Sequence, residues 1–207
     1  MRPFALTMQS QRLDVQRLGL ALLVGATLMG LAWGAFAVAA RARPTDRPGQ
    51  CVDMGDPRRG EGPPRIDESP DPRCPADELP YPPMMREGTV VFVGAKERAV
   101  TVEIAELPWE LERGLMYRTH LAADRGMLFN YARRADHTMW MHDTCIPLDV
   151  LFIDEDGTIV GIVEHARPMD DAPISTACPA RHVIEVNAGF CRRHGIRPGQ
   201  KVRLPGA

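Results

Sequence analysis

The chain has 207 residues, 44% of them hydrophobic and 25% charged, and a formal net charge of −2. That length holds one ordinary domain with appendages. A near-neutral balance gives no basic footprint, so no nucleic-acid partner is expected.

Residues 1–17 read as a cytoplasmic leader. Residues 18–40, LGLALLVGATLMGLAWGAFAVAA, are 23 positions without a charge. As a helix that run covers about 35 Å, enough to cross a bilayer. It is expected to be an uncleaved transmembrane anchor. The competing reading is a secretory signal cut after Ala37-Val38-Ala39, but the run is longer than an ordinary signal core and its leader is long. The arginines on either side do not set an orientation. Residues 41–87 are rich in Pro, Gly, Asp and Arg and nearly lack aliphatic side chains. Such a segment cannot bury enough surface to offset chain entropy, so a disordered, partly polyproline II linker is expected. Cys51 and Cys74 lie in it, either paired with each other or idle.

Residues 88–207 form the domain. Alternating apolar positions predict strands at 89–94 and 98–105, joined tightly as a hairpin. Pro108 suits a first helical position and Gly114 a stop, which predicts a short helix over 108–113. A strand follows over 126–131, then a polar connection over 132–137. Residues 138–141 are apolar on both sides, as in a strand covered on both faces. Residues 148–153 resume as a strand, Asp156-Gly157 marks a hairpin turn, and 158–163 return. A polar surface loop is expected over 164–179, a strand over 182–186, one or two helical turns over 188–194, and a last strand over 201–204. Short strands outnumber helices, so the predicted class is α+β, mainly β, with a small barrel-like sheet and one or two short helices.

The blocks GLMYR (114–118), DRGMLF (124–129), WMHDTCIPLDVLFID (140–154), DG (156–157), VIEVNAG (183–189) and GIRPGQKV (195–202) occur in this order. In them the chain resembles the domain of unknown function 192 family over residues 100–204. The resemblance implies a mainly β domain of bacteria and archaea, often behind an export signal, with no established activity. Three positions depart from the family pattern. His142-Asp143 stands where Lys-Asn is usual, Leu111 where Arg is usual, and Cys145 where an aliphatic residue is common.

No cofactor and no metal are expected, because C-x-x-C, H-x-H and H-E-x-x-H are all missing from the sequence. Asp149 shares a strand face with Leu151 and Ile153, so its carboxylate points among apolar groups and needs donors. The bland reading has it accept backbone N–H groups from the turn at 143–146; the sharp one makes it a poised acid or base. A ligand pocket is expected from Met116, Arg118, Trp140, Met141, Asp143, Thr144, Asp149 and Glu185, an apolar wall with convergent polar groups. Cys145 and Cys178 are expected to form a disulfide, with Cys191 a buried thiol.

Two functions follow. One is an envelope domain on the extracytoplasmic side of a bacterial cell membrane, held there through residues 18–40 or released to the periplasm by cleavage. It would bind a small polar ligand or another envelope protein. The alternative is a hydrolase-like enzyme with Asp149 and Glu185 as acid and base.

Overall fold

Period-two alternation builds seven strands, which the computed structural model joins in a single sheet. The structure describes residues 47–55, 69–77, 84–94 and 96–206. The expected leader at 1–17 and anchor at 18–40 lie outside the described residues. The strands are β1 (Arg86–Val93), β2 (Arg98–Ala105), β3 (Arg125–Ala135), β4 (Leu148–Ile153), β5 (Ile159–Ala166), β6 (Ala180–Asn187) and β7 (Lys201–Arg203). Helix α1 (Pro108–Arg113) joins β2 to β3, and α2 (Phe190–His194) lies between β6 and β7. Among the described residues no helix is long and apolar enough to cross a membrane.

The sheet order is β5-β4-β6-β3-β2-β1-β7. All neighbours are antiparallel except β2 and β3. Parallel neighbours need a crossover, and α1 supplies it across one face of the sheet. Pro108 opens that helix, and the Glu110 carboxylate accepts the Glu106 and Leu107 N–H groups, each at 2.8 Å. Gly114 ends it at φ 49°, where an added Cβ would lie 2.9 Å from the Phe129 ring. Only glycine combines that backbone with so close an approach.

The sheet curls into a half-barrel. Its outer strands meet at a Thr158–Lys201 bridge, reinforced by Ile159 N–H to Gln200 O at 2.9 Å and Val202 N–H to Gly157 O at 2.8 Å. One apolar cluster draws on all seven strands, among them Val90, Val102, Leu128, Leu151, Ile159, Ile184 and Val202, with Phe190 of α2. It therefore fills the inside of the curl. The second cluster, which includes Met127, Phe129, Leu148, Val150, Phe152 and Val183, lies on the other face. There the chain between β2 and β3 and the loop before β4 cover it, through Leu115, Leu121, Met139, Met141 and Ile146.

Several expected elements change. Residues 138–141 form no strand; Met139 makes a single bridge to Ile174, and Trp140 is 48% exposed instead of covered. Strand β3 runs on through the expected connection to Ala135, with a register shift after Asn130. The expected Cys145–Cys178 disulfide is corrected. Both cysteines are bridged, but Cys178 pairs with Cys51 and Cys145 with Cys74. Each bridge fixes a described piece of the expected linker to the domain. The first piece also donates Asp53 N–H to Val160 O on outer strand β5 at 2.6 Å and Gly49 N–H to Asp154 at 2.8 Å. The second donates Asp71 N–H to Cys145 O at 2.8 Å and pairs Asp77 with Arg113. The strand edge and the loop carbonyl that these pieces meet would otherwise face water.

Candidate functional site

Glu185 lies in the middle of the sheet, opposite Met127 of β3 and Val150 of β4. Directly opposed residues share a face, so its side chain joins the cluster under α1. Asp149 stands opposite Val186, whose side chain belongs to the inside of the curl. The two carboxyls thus lie on adjacent strands but on opposite faces. They cannot share a cleft, which removes the hydrolase arrangement built on Asp149 and Glu185. Local alternation was enough to aim each residue, but the β4–β6 register decides which face each takes.

Asp149 is fully buried and satisfied. Its carboxylate accepts the N–H groups of His165 at 3.0 Å, Gly189 at 3.1 Å and Cys191 at 2.9 Å. The last two are at the start of α2, so Asp149 caps that helix from a neighbouring strand. The bland reading had the right chemistry but the wrong donors, since none comes from the turn at 143–146.

Glu185 is only 4% exposed. Among the described residues no hydrogen bond reaches its carboxyl, and burial pushes its pKa up to about 8. It is therefore largely protonated at neutral pH. Tyr131 lies close by, and burial first, then the Glu185 charge, pushes its phenol up to about 12. The Tyr131 hydroxyl meets the Met139 sulfur at 3.2 Å.

Glu185 faces a cavity of about 60 Å³ between α1 and the sheet. Its walls are Leu111 to Met116 from α1 and its end, Phe129 and Tyr131 from β3, and Thr138, Met139, Trp140 and Thr144 from the loop before β4. A second cavity of about 170 Å³ is lined by Thr138, Met139, Trp140, Asp171 and Pro173. The stretch Thr138 to Trp140 lines both, so the two adjoin as an inner and an outer lobe. The Trp140 ring stacks on His142 at 5.1 Å, and His142 Nδ1 lies 2.7 Å from Asp171. That hydrogen bond, more than any other cause, raises the imidazole pKa.

Of the eight expected pocket residues, Met116, Trp140, Thr144 and Glu185 line the cleft. The other four are elsewhere. Arg118 donates to Glu103 at 2.7 Å, Met141 is buried in the core, and Asp143 accepts the Tyr117 hydroxyl at 3.0 Å. Asp149 is on the opposite face. Tyr131, outside the expected pocket, continues the period-two face of Met127 and Phe129 in a strand that runs on through the polar residues after it. Arg113 and Glu112 carry no sequence signal for a site. Arg113 lies 5.0 Å over the Tyr117 ring and pairs with Asp77. Leu111, where the resemblance leads to Arg, is on the cavity wall, so that position brings no guanidinium to Glu185. Among the described residues no three metal-ligating side chains converge.

A family model matches residues 90–204, that of DUF192, described as Uncharacterized ACR. No curated protein sequence matches the chain. Two solved structures are similar. A candidate transcription regulator from Sinorhizobium meliloti 1021 is 39% identical, with a TM-score of 0.58 over 59% of this chain and 97% of its own. A protein of unknown function from Novosphingobium aromaticivorans DSM 12444 is 35% identical, with a TM-score of 0.57 over 58% of this chain and 86% of its own.

Proposed function

The chain belongs to the DUF192 family, and we propose that its domain is an extracytoplasmic binding module that takes a small polar ligand in the cleft above Glu185. One observation carries this reading. A buried carboxyl with no hydrogen-bond partner faces a cavity, although polar groups buried without partners are costly and rare in native folds. Asp149, on the next strand, has three donors, so this fold can satisfy a carboxyl where it must. A ligand group supplies the missing partner at Glu185.

The compartment follows from the cysteines. Two disulfides fit an oxidising environment, and the apolar run at 18–40 provides an anchor, or a cleavable signal, to reach it. The net charge of −2 supports a reading without a nucleic-acid partner.

The test uses full-length protein in detergent with ¹³C-methyl methionine. Met116 and Met139 line the cavity and report on it. Glycerol, acetamide, butyrate and butylammonium are titrated in turn. At least one should shift both methyl signals saturably, with a changed affinity in Glu185→Gln. If none does, the cavity is a packing gap and the binding reading fails.

A further inference from the structure

We infer that the ligand of this cleft is a small-molecule amine, a primary or methylated ammonium carried on a short apolar chain. The inference rests on the binding reading and names the ligand class.

Size decides first. The inner lobe of about 60 Å³ has room for roughly two water molecules. An ammonium or methylammonium head fits there. The outer lobe of about 170 Å³, with Met139, Trp140 and Pro173 in its wall, accommodates a few methylene groups.

Charge decides next. Glu185, Glu112 and Arg113 are the charged residues of the inner lobe, and Asp171 is the one in the outer lobe. Arg113 is engaged by Asp77 and the Tyr117 ring, and Asp171 by His142. The Glu103–Arg118 ion pair on this face is separated from Glu185 by the Met127 position. Glu112 is exposed to water, so the buried carboxyl without a partner is Glu185. An anion would oppose ionisation of the acid, and a neutral ligand would leave it protonated. A cation instead makes the ionised form favourable, since a buried carboxylate is stable when paired with an opposite charge. Trp140, half-exposed where the lobes meet, offers a ring to the same cation.

This mechanism couples binding to one proton. At neutral pH the empty site holds Glu185 mostly protonated. The ammonium enters, the carboxyl O–H bond breaks, and the proton leaves to solvent. The groups facing Glu185 from the packed elements are the Tyr131 phenol, Glu112 and Arg113. His142, its pKa raised by the hydrogen bond to Asp171, stacks on Trp140 beside the outer lobe, so the loss of proton release in Glu185→Gln is what assigns the proton to Glu185.

Butylammonium, 1-butanol and butyrate are titrated by calorimetry into the full-length protein, in phosphate and in Tris at pH 7. Butylammonium should bind with release of close to one proton, and its affinity should rise about tenfold from pH 6 to 7 and level off above about pH 8. Glu185→Gln should lose both the binding and the proton release. Trp140→Ala should weaken binding with the proton release intact, which keeps the test open if the first variant does not fold. If 1-butanol binds as tightly as butylammonium, or binding releases no proton, the amine assignment falls while the cleft remains a binding site. If none of the three moves the Met116 and Met139 methyl signals, the binding reading itself is wrong.

Discussion

Glu185→Gln in the ligand-free protein is the sharpest test of the site's electrostatics. A buried Glu whose pKa rises from 4.5 unfolded to about 8 folded binds its proton more tightly in the native state. Stability is then fully present below pH 4.5 and is lost as pH climbs through about 8. Each pH step in that window costs the native state about 1.4 kcal/mol. The loss reaches about 3 kcal/mol at pH 7 and about 5 kcal/mol above pH 8. Glutamine keeps the shape and does not ionise. Its advantage over wild type should therefore be near zero at pH 4.5 and grow to about 3 kcal/mol at pH 7. That is a large share of an ordinary domain's stability. Urea unfolding of both proteins at pH 5, 7 and 9 measures it. Parallel stability curves across that range would show that Glu185 ionises freely in the folded state, and the account of a buried, unpaired acid would be wrong.

Asp149→Asn should lower stability by about 1–3 kcal/mol, because an amide offers hydrogens to three backbone N–H groups that need acceptors. Amine affinity, measured on the folded fraction, should not change. Peptide mapping without reduction should recover Cys51–Cys178 and Cys74–Cys145, with Cys191 alkylated only after unfolding; a Cys145–Cys178 peptide would overturn the pairing. Replacing Cys74 by Ser should cost about 4 kcal/mol in the chain-entropy account, given a sequence separation of 71. Protease added to intact spheroplasts should remove the domain that follows residue 41, and protection until lysis would refute the proposed topology.

What could be read from the sequence was local. The bounds of β4 came out unchanged, because a run of apolar residues ended by Pro147 and by the turn at Asp156-Gly157 has few other solutions. Helix α1 was equally plain from Pro108 and Gly114. Facing Asp149 toward Leu151 and Ile153 needed only period two. What could not be read depends on distant pairing. Whether Glu185 and Asp149 meet is set by the register of β6 on β4, which alternation within either strand does not encode. The disulfide partners failed for a related reason. Cys51 and Cys74 sit in polar segments whose composition says tether, and nothing local shows that those segments lie against β5 and the turn before Cys145. Trp140 was misplaced because its neighbours Met139 and Met141 are core residues, and an apolar triplet reads as buried throughout.

The linker's attachment bears on the site. Cys145 adjoins Thr144, a wall residue of the inner lobe, and Arg113, another wall residue, holds Asp77. One described piece of the linker, 69–77, therefore fastens two sides of the cavity that Glu185 faces. The bridge through Cys74 contributes about 4 kcal/mol, and the unpaired acid costs about 3 kcal/mol at pH 7. The two magnitudes are similar, so an oxidised chain can carry a partnerless carboxyl that a reduced one would struggle to bear. Burial in the sheet beneath that wall is what raises the pKa of the acid. The proposed export to an oxidising compartment and the proposed binding chemistry thus depend on each other. The disulfide holds the wall beside Glu185, and the proposed cation would supply the partner that the acid lacks.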